Sequence, residues 1–511
     1  MNFPNASPDR EPEPPPVSLG IPFENTLARL GEAFSLPAGR NRASAPQLIQ
    51  LNTALARQLG LEPELFRTPD GVAVLAGNRF AERSEPVALA YAGHQFGSFV
   101  PRLGDGRAML LGELRAPDGR RYNVQLKGSG RTPFSRSGDG RAALGPVLRE
   151  YLVSEAMAAL GVPTTRALAA VATGDPVFRE TVLPGAVLTR VASSHLRIGS
   201  MEYLAAQGHR DALRVLVNYT LERHFPASAG NQHPALTLLR EVVDRQARLV
   251  AQWMHLGFIH GVMNTDNTSL SGETLDYGPC AFMDHYDPAT VFSAIDQMGR
   301  YAYGNQPGVL LWNLTRLAEA LLILIGEEEG SPEKALAAAT TVLEGFAGIY
   351  QKAWLEGFRR KLGLDTDDDQ DLALIEDLLE RMYRNGADFT LTFRGLADQL
   401  DAAGKQHSVR ELFTDPESFD AWAEKWRARL RQEAGDSRQR SAQMRQANPL
   451  CIPRNHQVEA ALRAAVEEKN YLPFEELLEA VTHPFEERDE WERFTLPPRP
   501  EERIRNTFCG T

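Results

Sequence analysis

The sequence is poor in cysteine. It has three in 511 residues: Cys280, Cys451 and Cys509. Three cysteines cannot build a disulfide framework, and the count points to a reducing compartment, the cytoplasm. Long apolar runs are also missing. The longest, near residues 317–325, is too short to cross a bilayer, so no membrane role is expected. The opening MNFPNASPDREPEPPP holds neither a basic n-region nor an apolar core, so no signal peptide is expected. Positive charge is scarce too. Lys and Arg number 55 against 67 Asp and Glu, a formal net charge of −12. That balance argues against a nucleic-acid partner, because phosphate backbones need clustered Lys and Arg.

What is present is an ordinary globular composition, long enough for two lobes with additions. Residues 1–20 are rich in Pro and Glu and read as disordered. Residues 21–90 suggest a helix over 45–59 and a short strand over 72–75, with no catalytic signal. They read as an N-terminal extension packed on the domain that begins near residue 91.

Chemistry begins in that next segment. Leu103-Gly104-Asp105-Gly106-Arg107 is a tight glycine loop. Strands are predicted over 108–114 and 121–127, joined by a turn at Pro117-Asp118-Gly119, and the second ends in Lys127. Gly104 and Gly106 would let backbone N–H groups approach phosphates that Arg107 and Lys127 neutralise. Taken singly, a Gly-x-Gly is an ordinary turn. The following GSGRTPFSRSGDGRA (128–142) carries Arg131, Arg136 and Arg141 and a turn at Asp139-Gly140. It is either a flexible surface loop or a lid over a polyphosphate. A helix is predicted over 145–160, with Pro146 in its first turn and Gly161 at its end. Glu150 on that helix is a candidate ion-pair partner for Lys127, or simply an acid favouring a helix N-terminus. Arg190, on a strand over 187–192, and Arg197 are candidate phosphate clamps.

The densest stretch is 260–279, HGVMNTDNTSLSGETLDYGP. It reads as a short hairpin turning at Ser271-Gly272, with Asp266-Asn267 near one end and Asp276 near the other. Hard oxygens of this kind suit Mg²⁺. Kinase-like phosphotransferases carry His-Gly-Asp, then Asn, then a hairpin, then Asp before an aromatic residue and Gly. Here Asn267 falls at the metal-binding Asn, and Asp276-Tyr277-Gly278 replaces Asp-Phe-Gly. Val262 falls where the general base would be and cannot accept a proton. Asp276→Ala should then remove activity and leave the fold intact.

Beyond residue 284 helices dominate, over 309–325, 331–362, 371–385 and 458–469. Asp365, Asp367, Asp369, Asp371 and Glu376 match EF-hand spacing, but Gln370 occupies the obligatory glycine position, so an acidic helix cap is the preferred reading. The fold expected is α+β: a protein-kinase-like two-lobed fold with an N-terminal extension and a large helical C-terminal elaboration. The N-lobe would span 91–200. The C-lobe, 201–511, would hold the metal site and a mobile tail over 503–511.

The chain resembles the selenoprotein O family of pseudokinase-fold protein adenylyltransferases. The resemblance rests on YAGHQFG (91–97), LGDGRA (103–108), QLKGSGRTPFSRSGDGRAAL (125–144), SEAMAALGVPTTRAL (154–168), LTRVASSHLRIGS (188–200), HGVMNTDN (260–267) and DYGP (276–279). It implies that ATP binds in a flipped orientation and that AMP, or UMP from UTP, passes to Ser, Thr or Tyr hydroxyls of protein substrates. It assigns Gly104, Gly106, Arg107, Lys127, Asp139, Gly140, Arg190, Arg197 and Asp276 to the nucleotide, Asn267 and Asp276 to Mg²⁺ or Mn²⁺, and Asp266 to the proton acceptor. Glu150 supports Lys127. A monomer is expected. The alternatives are a catalytically inactive ATP-binding scaffold and a small-molecule phosphotransferase. The family often ends in selenocysteine or cysteine, as Cys509 does here, which suggests a redox role. Cys280, just after DYGP, is a candidate partner for a transient disulfide that would tether the tail over the metal site.

Overall fold

The computed structural model describes residues 15–400 and 408–508. Its N-terminal half is organised on an antiparallel sheet. The strands are β1 (Ser35–Pro37), β2 (Gln47–Leu51) and β3 (Val87–Leu89). After a separate hairpin of β4 (Gly93–Gln95) and β5 (Ser98–Val100) come β6 (Ala108–Arg115), β7 (Arg121–Lys127), β8 (Ala142–Ala143), β9 (Arg166–Phe178) and β10 (Val182–Ala192). The sheet runs β1-β3-β6-β7-β10-β9-β2, with β8 paired to β10.

Strand alternation sorts the side chains onto two faces. Met109, Leu126, Val187 and Val191 enter a core shared with α1 (Thr53–Gln58), α2 (Pro63–Arg67) and α3 (Pro69–Leu75). Leu110, Ala186 and Leu188 belong to the opposite core, which includes α4 (Leu144–Ala159). Lys127 follows Leu126 and Arg190 lies two residues beyond Leu188, so both turn toward α4. In register, Lys127 faces Leu188 and Gln125 faces Arg190.

Beyond β10 the chain is mainly helical, beginning with α5 (Ile198–Ala206), α6 (Arg210–His224), α7 (Pro234–Leu256), α8 (Gln306–Glu329) and α9 (Pro332–Leu362). Gly257, in the left-handed region at φ 68°, ends α7. Next, β11 (Phe258–Ile259) pairs with β12 (Ala281–Phe282), and the pair closes the base of the 260–280 loop. Among the described residues, α8 is the one helix long and apolar enough to cross a membrane. More than half of its apolar window is buried inside the protein, where α8 packs on α5, α7 and α9 as a core helix does.

Several local expectations change. Residues 45–59 are not one helix. β2 pairs with β9, and α1 starts only after Asn52, whose side chain caps the N–H of Leu55 at 2.9 Å. Residues 72–75 are helical, because Thr68 caps α3 and Pro69 sits at its first position. The hairpin in 268–275 reduces to one bridge, Thr268 with Thr274. Residues 35–89 are part of the main sheet, supplying three of its strands. Of the stretch expected to be disordered, 1–14 lies outside the described residues, while Val17 and Leu19 are buried and Val17 pairs with Ala81. The tail is docked as far as it is described. Thr507 pairs with Ser293, and its hydroxyl donates to the Pro279 carbonyl at 2.5 Å. In the acidic run, Asp371 is fully buried between Arg359 (2.7 Å) and Arg429 (2.8 Å), so its carboxylate serves arginines rather than a metal ion.

Candidate functional site

Four charged side chains form a buried network where the sheet meets the 260–280 loop. Lys127 Nζ donates to Glu150 and to Asp276, each at 2.6 Å. Arg190 Nε donates to Glu150, and its Nη2 to Asp276 at 3.2 Å. The expected Lys127–Glu150 ion pair is therefore present, and Arg190 closes the ring. Burial alone would raise both carboxyls. The charges of Lys127 and Arg190, joined at Asp276 by Arg107, outweigh it and hold Asp276 well below the usual range, with Glu150 also lowered. Asp276 adopts φ 72°, a left-handed conformation uncommon outside glycine, and these bonds fix it there. Arg190 is almost fully buried and bonded on both sides, so it sits behind Asp276 and anchors it.

In front of the network lies a cleft of about 680 Å³. Gly104, Gly106 and Arg107 line one wall, and Asp139 and Gly140 another. Arg197, Asp266, Asn267 and Asp276 complete it. Asp139 is held low first by its bond to Arg179, at 2.9 Å, and it also accepts from the Arg141 N–H. Arg197 Nη1 donates to the Asp266 carbonyl at 2.8 Å, with its guanidinium 4.3 Å from the centre of the Tyr91 ring. Arg107 has no ion pair among the described residues and is the half-buried cation left facing the cleft.

Asp266 is 8% exposed. Burial pushes its carboxyl up to about 6, against the opposing charge of Arg197. Its Oδ2 accepts from Gln95 Nε2 at 3.2 Å, while Oδ1 has no partner among the described residues. The β4–β5 hairpin causes this burial. His94 N–H donates to Thr265 Oγ1 at 2.7 Å and Phe96 N–H to Asn264 Oδ1 at 3.0 Å. Gly93 permits the close approach, since a Cβ there would lie 2.5 Å from Asp266 Oδ1. Sequence reasoning gives no role to Gln95, Phe96, Asn264 or Arg179. The signals for the first two are the motif YAGHQFG (91–97) and, within it, a polar pair, His94-Gln95, enclosed by Gly93 and Gly97.

The donor set fits a hard divalent cation. Asp276 accepts from Lys127 and Arg190 on Oδ1, which leaves its Oδ2 as a donor to a cation. Asn267 spends its amide N–H on the Val262 carbonyl at 3.1 Å, which leaves Oδ1 as an acceptor in the same cleft as Asp276. No group of three His, Cys, Asp or Glu assembles among the described residues. A cation held here would therefore draw further oxygens from phosphates and water, as Mg²⁺ commonly does. Cys280 is buried, and burial pushes its thiol up to about 12. Its candidate partner Cys509 lies outside the described residues.

A cleft of this size with glycine edges, arginines on its walls and a buried carboxylate describes a group-transfer enzyme acting on a nucleotide. Comparison with known proteins is more specific. Residues 18–482 match the family model described as protein adenylyltransferase SelO. The chain is 58% identical over 497 residues to the protein nucleotidyltransferase YdiU of Methylorubrum populi, covering 96% of this chain and 99% of that relative. It is 55% identical over 495 residues to the protein of the same name from Rhodopseudomonas palustris, covering 97% and 100%. For that of Bradyrhizobium diazoefficiens the figures are 55% over 497 residues, covering 97% and 100%. The chain belongs to the SelO family of protein adenylyltransferases.

Proposed function

We propose that this protein transfers AMP from ATP to Ser, Thr or Tyr hydroxyls of other proteins and releases pyrophosphate, on a kinase-like two-lobed frame. The division is an N-lobe over 91–200 and a helical C-lobe beyond it. The observation that carries the reading is Asp266: a buried carboxylate with one free oxygen, facing a glycine-edged cleft. The motif spacing supports it, since Val262 falls where a kinase base would stand and cannot accept a proton. Above pH about 6 the carboxyl is ionised and can take a proton.

The chain's own groups account for the step. Gly104, Gly106 and Gly140 let the backbone approach the phosphates, and Arg107 offers them charge. Lys127 and Arg190 hold Asp276 in its left-handed conformation, and Glu150 keeps both cations in place. Arg197 holds the Asp266 main chain, and Gln95 orients the Asp266 carboxylate. The acceptor oxygen forms a bond to the α-phosphorus as the bond to the β-phosphate oxygen breaks. The hydroxyl proton passes to Asp266 Oδ1, and pyrophosphate leaves. Asn267 and Asp276 would hold Mg²⁺ or Mn²⁺, which when bound neutralises phosphate charge. UTP would serve in the same way, donating UMP.

The test couples two readouts on one acceptor mixture. Pyrophosphate release should match, mole for mole, the adenylate found on protein by mass spectrometry, and Asp266→Asn should lose both. Pyrophosphate release without protein-bound adenylate would refute the reading.

A further inference from the structure

A second cavity, of about 780 Å³, shares no lining residue with the cleft. Its walls come from the β6–β7 turn, the end of α6, the middle of α7 and the turn at Ser271–Glu273. Six arginines face it (Arg115, Arg120, Arg121, Arg223, Arg245 and Arg248), against only Glu222 and Glu273. Such a concentration stands out in a chain of net charge −12.

Not all of these cations are free to act. Arg223 is bound to Glu113, and Arg248 to Asp244 at 2.9 Å. Arg115 and Arg121 share one carboxylate, Glu24, at 3.5 and 2.6 Å. Arg120 has Asp118 at 3.1 Å, and its side chain is 77% exposed. Arg245 has no carboxylate within ion-pair range among the described residues. Its guanidinium donates to the carbonyls of Ser271 and His224 and stacks 4.0 Å from the Phe225 ring centre. Glu273 accepts from Ser193 and Ser271 and makes no ion pair with that guanidinium among the described residues.

A separate observation also points to a ligand. His224 is 8% exposed, and its Nε2 has no hydrogen-bond partner among the described residues. Gln252 Oε1, on the same wall, is also unpartnered. Buried polar atoms are rarely left unsatisfied, and two of them beside an unpaired guanidinium mark a place where something binds. Among the described residues no Phe, Tyr or Trp lines the cavity, and its walls are dominated by arginine. Its volume suits a small molecule.

We propose that this cavity binds a small polyphosphorylated anion, with Arg245, Arg120 and Arg115 as its charged contacts. The chemistry is that of clustered phosphates, carried on an inorganic oligophosphate or on a sugar. The location is suited to regulation. Ser271–Glu273 is the turn between Asn267 and Asp276. Arg245 bonds the Ser271 carbonyl at 2.9 Å, and Gly272 packs so closely that a Cβ there would lie 2.8 Å from Arg245 Cβ.

The test titrates inorganic tripolyphosphate and fructose 1,6-bisphosphate separately into the full, metal-free protein by calorimetry, with hydrogen exchange to locate the site. The proposal expects saturable binding of at least one probe. Protection should fall in residues 115–121, 222–226, 245–252 and 271–273. The probe that binds more tightly identifies the carrier of the phosphates. Arg245→Ala should weaken binding about tenfold, as loss of a charge-assisted contact does. Arg120→Glu should weaken it similarly, and its exposed side chain keeps the fold out of question. Arg107→Ala, in the cleft, should leave it unchanged. No saturable binding of either probe would overturn the proposal. So would binding that protects only cleft residues, or binding that Arg107→Ala abolishes while Arg120→Glu does not.

Discussion

Replacing Asp266 with Asn should stabilise this protein in a way that depends on pH. The carboxyl's ordinary value is 3.8, and burial raises it to about 6 in the folded chain. Between these values the folded state binds a proton that the unfolded state has lost. Stability therefore falls as pH rises through that window and stays lower above it. A shift of roughly two units corresponds to about 3 kcal/mol. The Asn variant keeps the shape and an acceptor for Gln95 but carries no charge. It should be more stable than the parent by about 3 kcal/mol near pH 8 and by close to zero near pH 4. Metal-free denaturant titrations of both proteins at the two pH values measure this. A gain of equal size at both, or none near pH 8, would show that the buried charge is not the cause. Transfer activity should be lost in either case, since the amide cannot take the proton.

Transfer by the parent protein should rise as pH increases through about 6, where the Asp266 carboxyl ionises, and a flat profile over that range would remove Asp266 as the acceptor. Asp276→Ala should abolish transfer and also lower the melting temperature, by an amount equivalent to about 2 kcal/mol, because it strips a partner from two buried cations. An unchanged melting temperature would mean that Lys127 and Arg190 do not depend on it. Gly93→Ala should cut activity about 100-fold with the fold retained, because the new methyl displaces Asp266, and near-normal kcat would refute the clamping role of the hairpin.

Much of the site is legible because its residues sit in local patterns. The glycine loop before β6, the terminal Lys127 of β7 and the helix bearing Glu150 each have their own sequence signature, and the structure joins Lys127 and Glu150 at 2.6 Å. Other features depend on contacts that no local pattern encodes. Its sequence setting makes Arg190 a candidate phosphate clamp. Strand alternation and the register with β7 instead turn it inward to Glu150 and Asp276. Gln95 meets Asp266 across 171 positions of chain, and only the folded hairpin brings them together. Sequence alone makes Asp276 a purely functional residue, and its stabilising part emerges with its two buried partners. The strand β9 escapes sequence reading because Gly174 and Pro176 interrupt its apolar run, and its pairing with β2 and β10 overrides them.

The central claim is that the α-phosphorus of ATP, not the γ, is transferred. The direct measurement is to incubate the protein with a divalent cation, a heat-treated protein extract as acceptor, and ATP labelled at either the α or the γ position. The account predicts acid-insoluble label from the α position only, and none with Asp266→Asn. Label from the γ position would make the protein a phosphotransferase. Label from neither, with ATP binding intact, would make it an inactive nucleotide-binding scaffold.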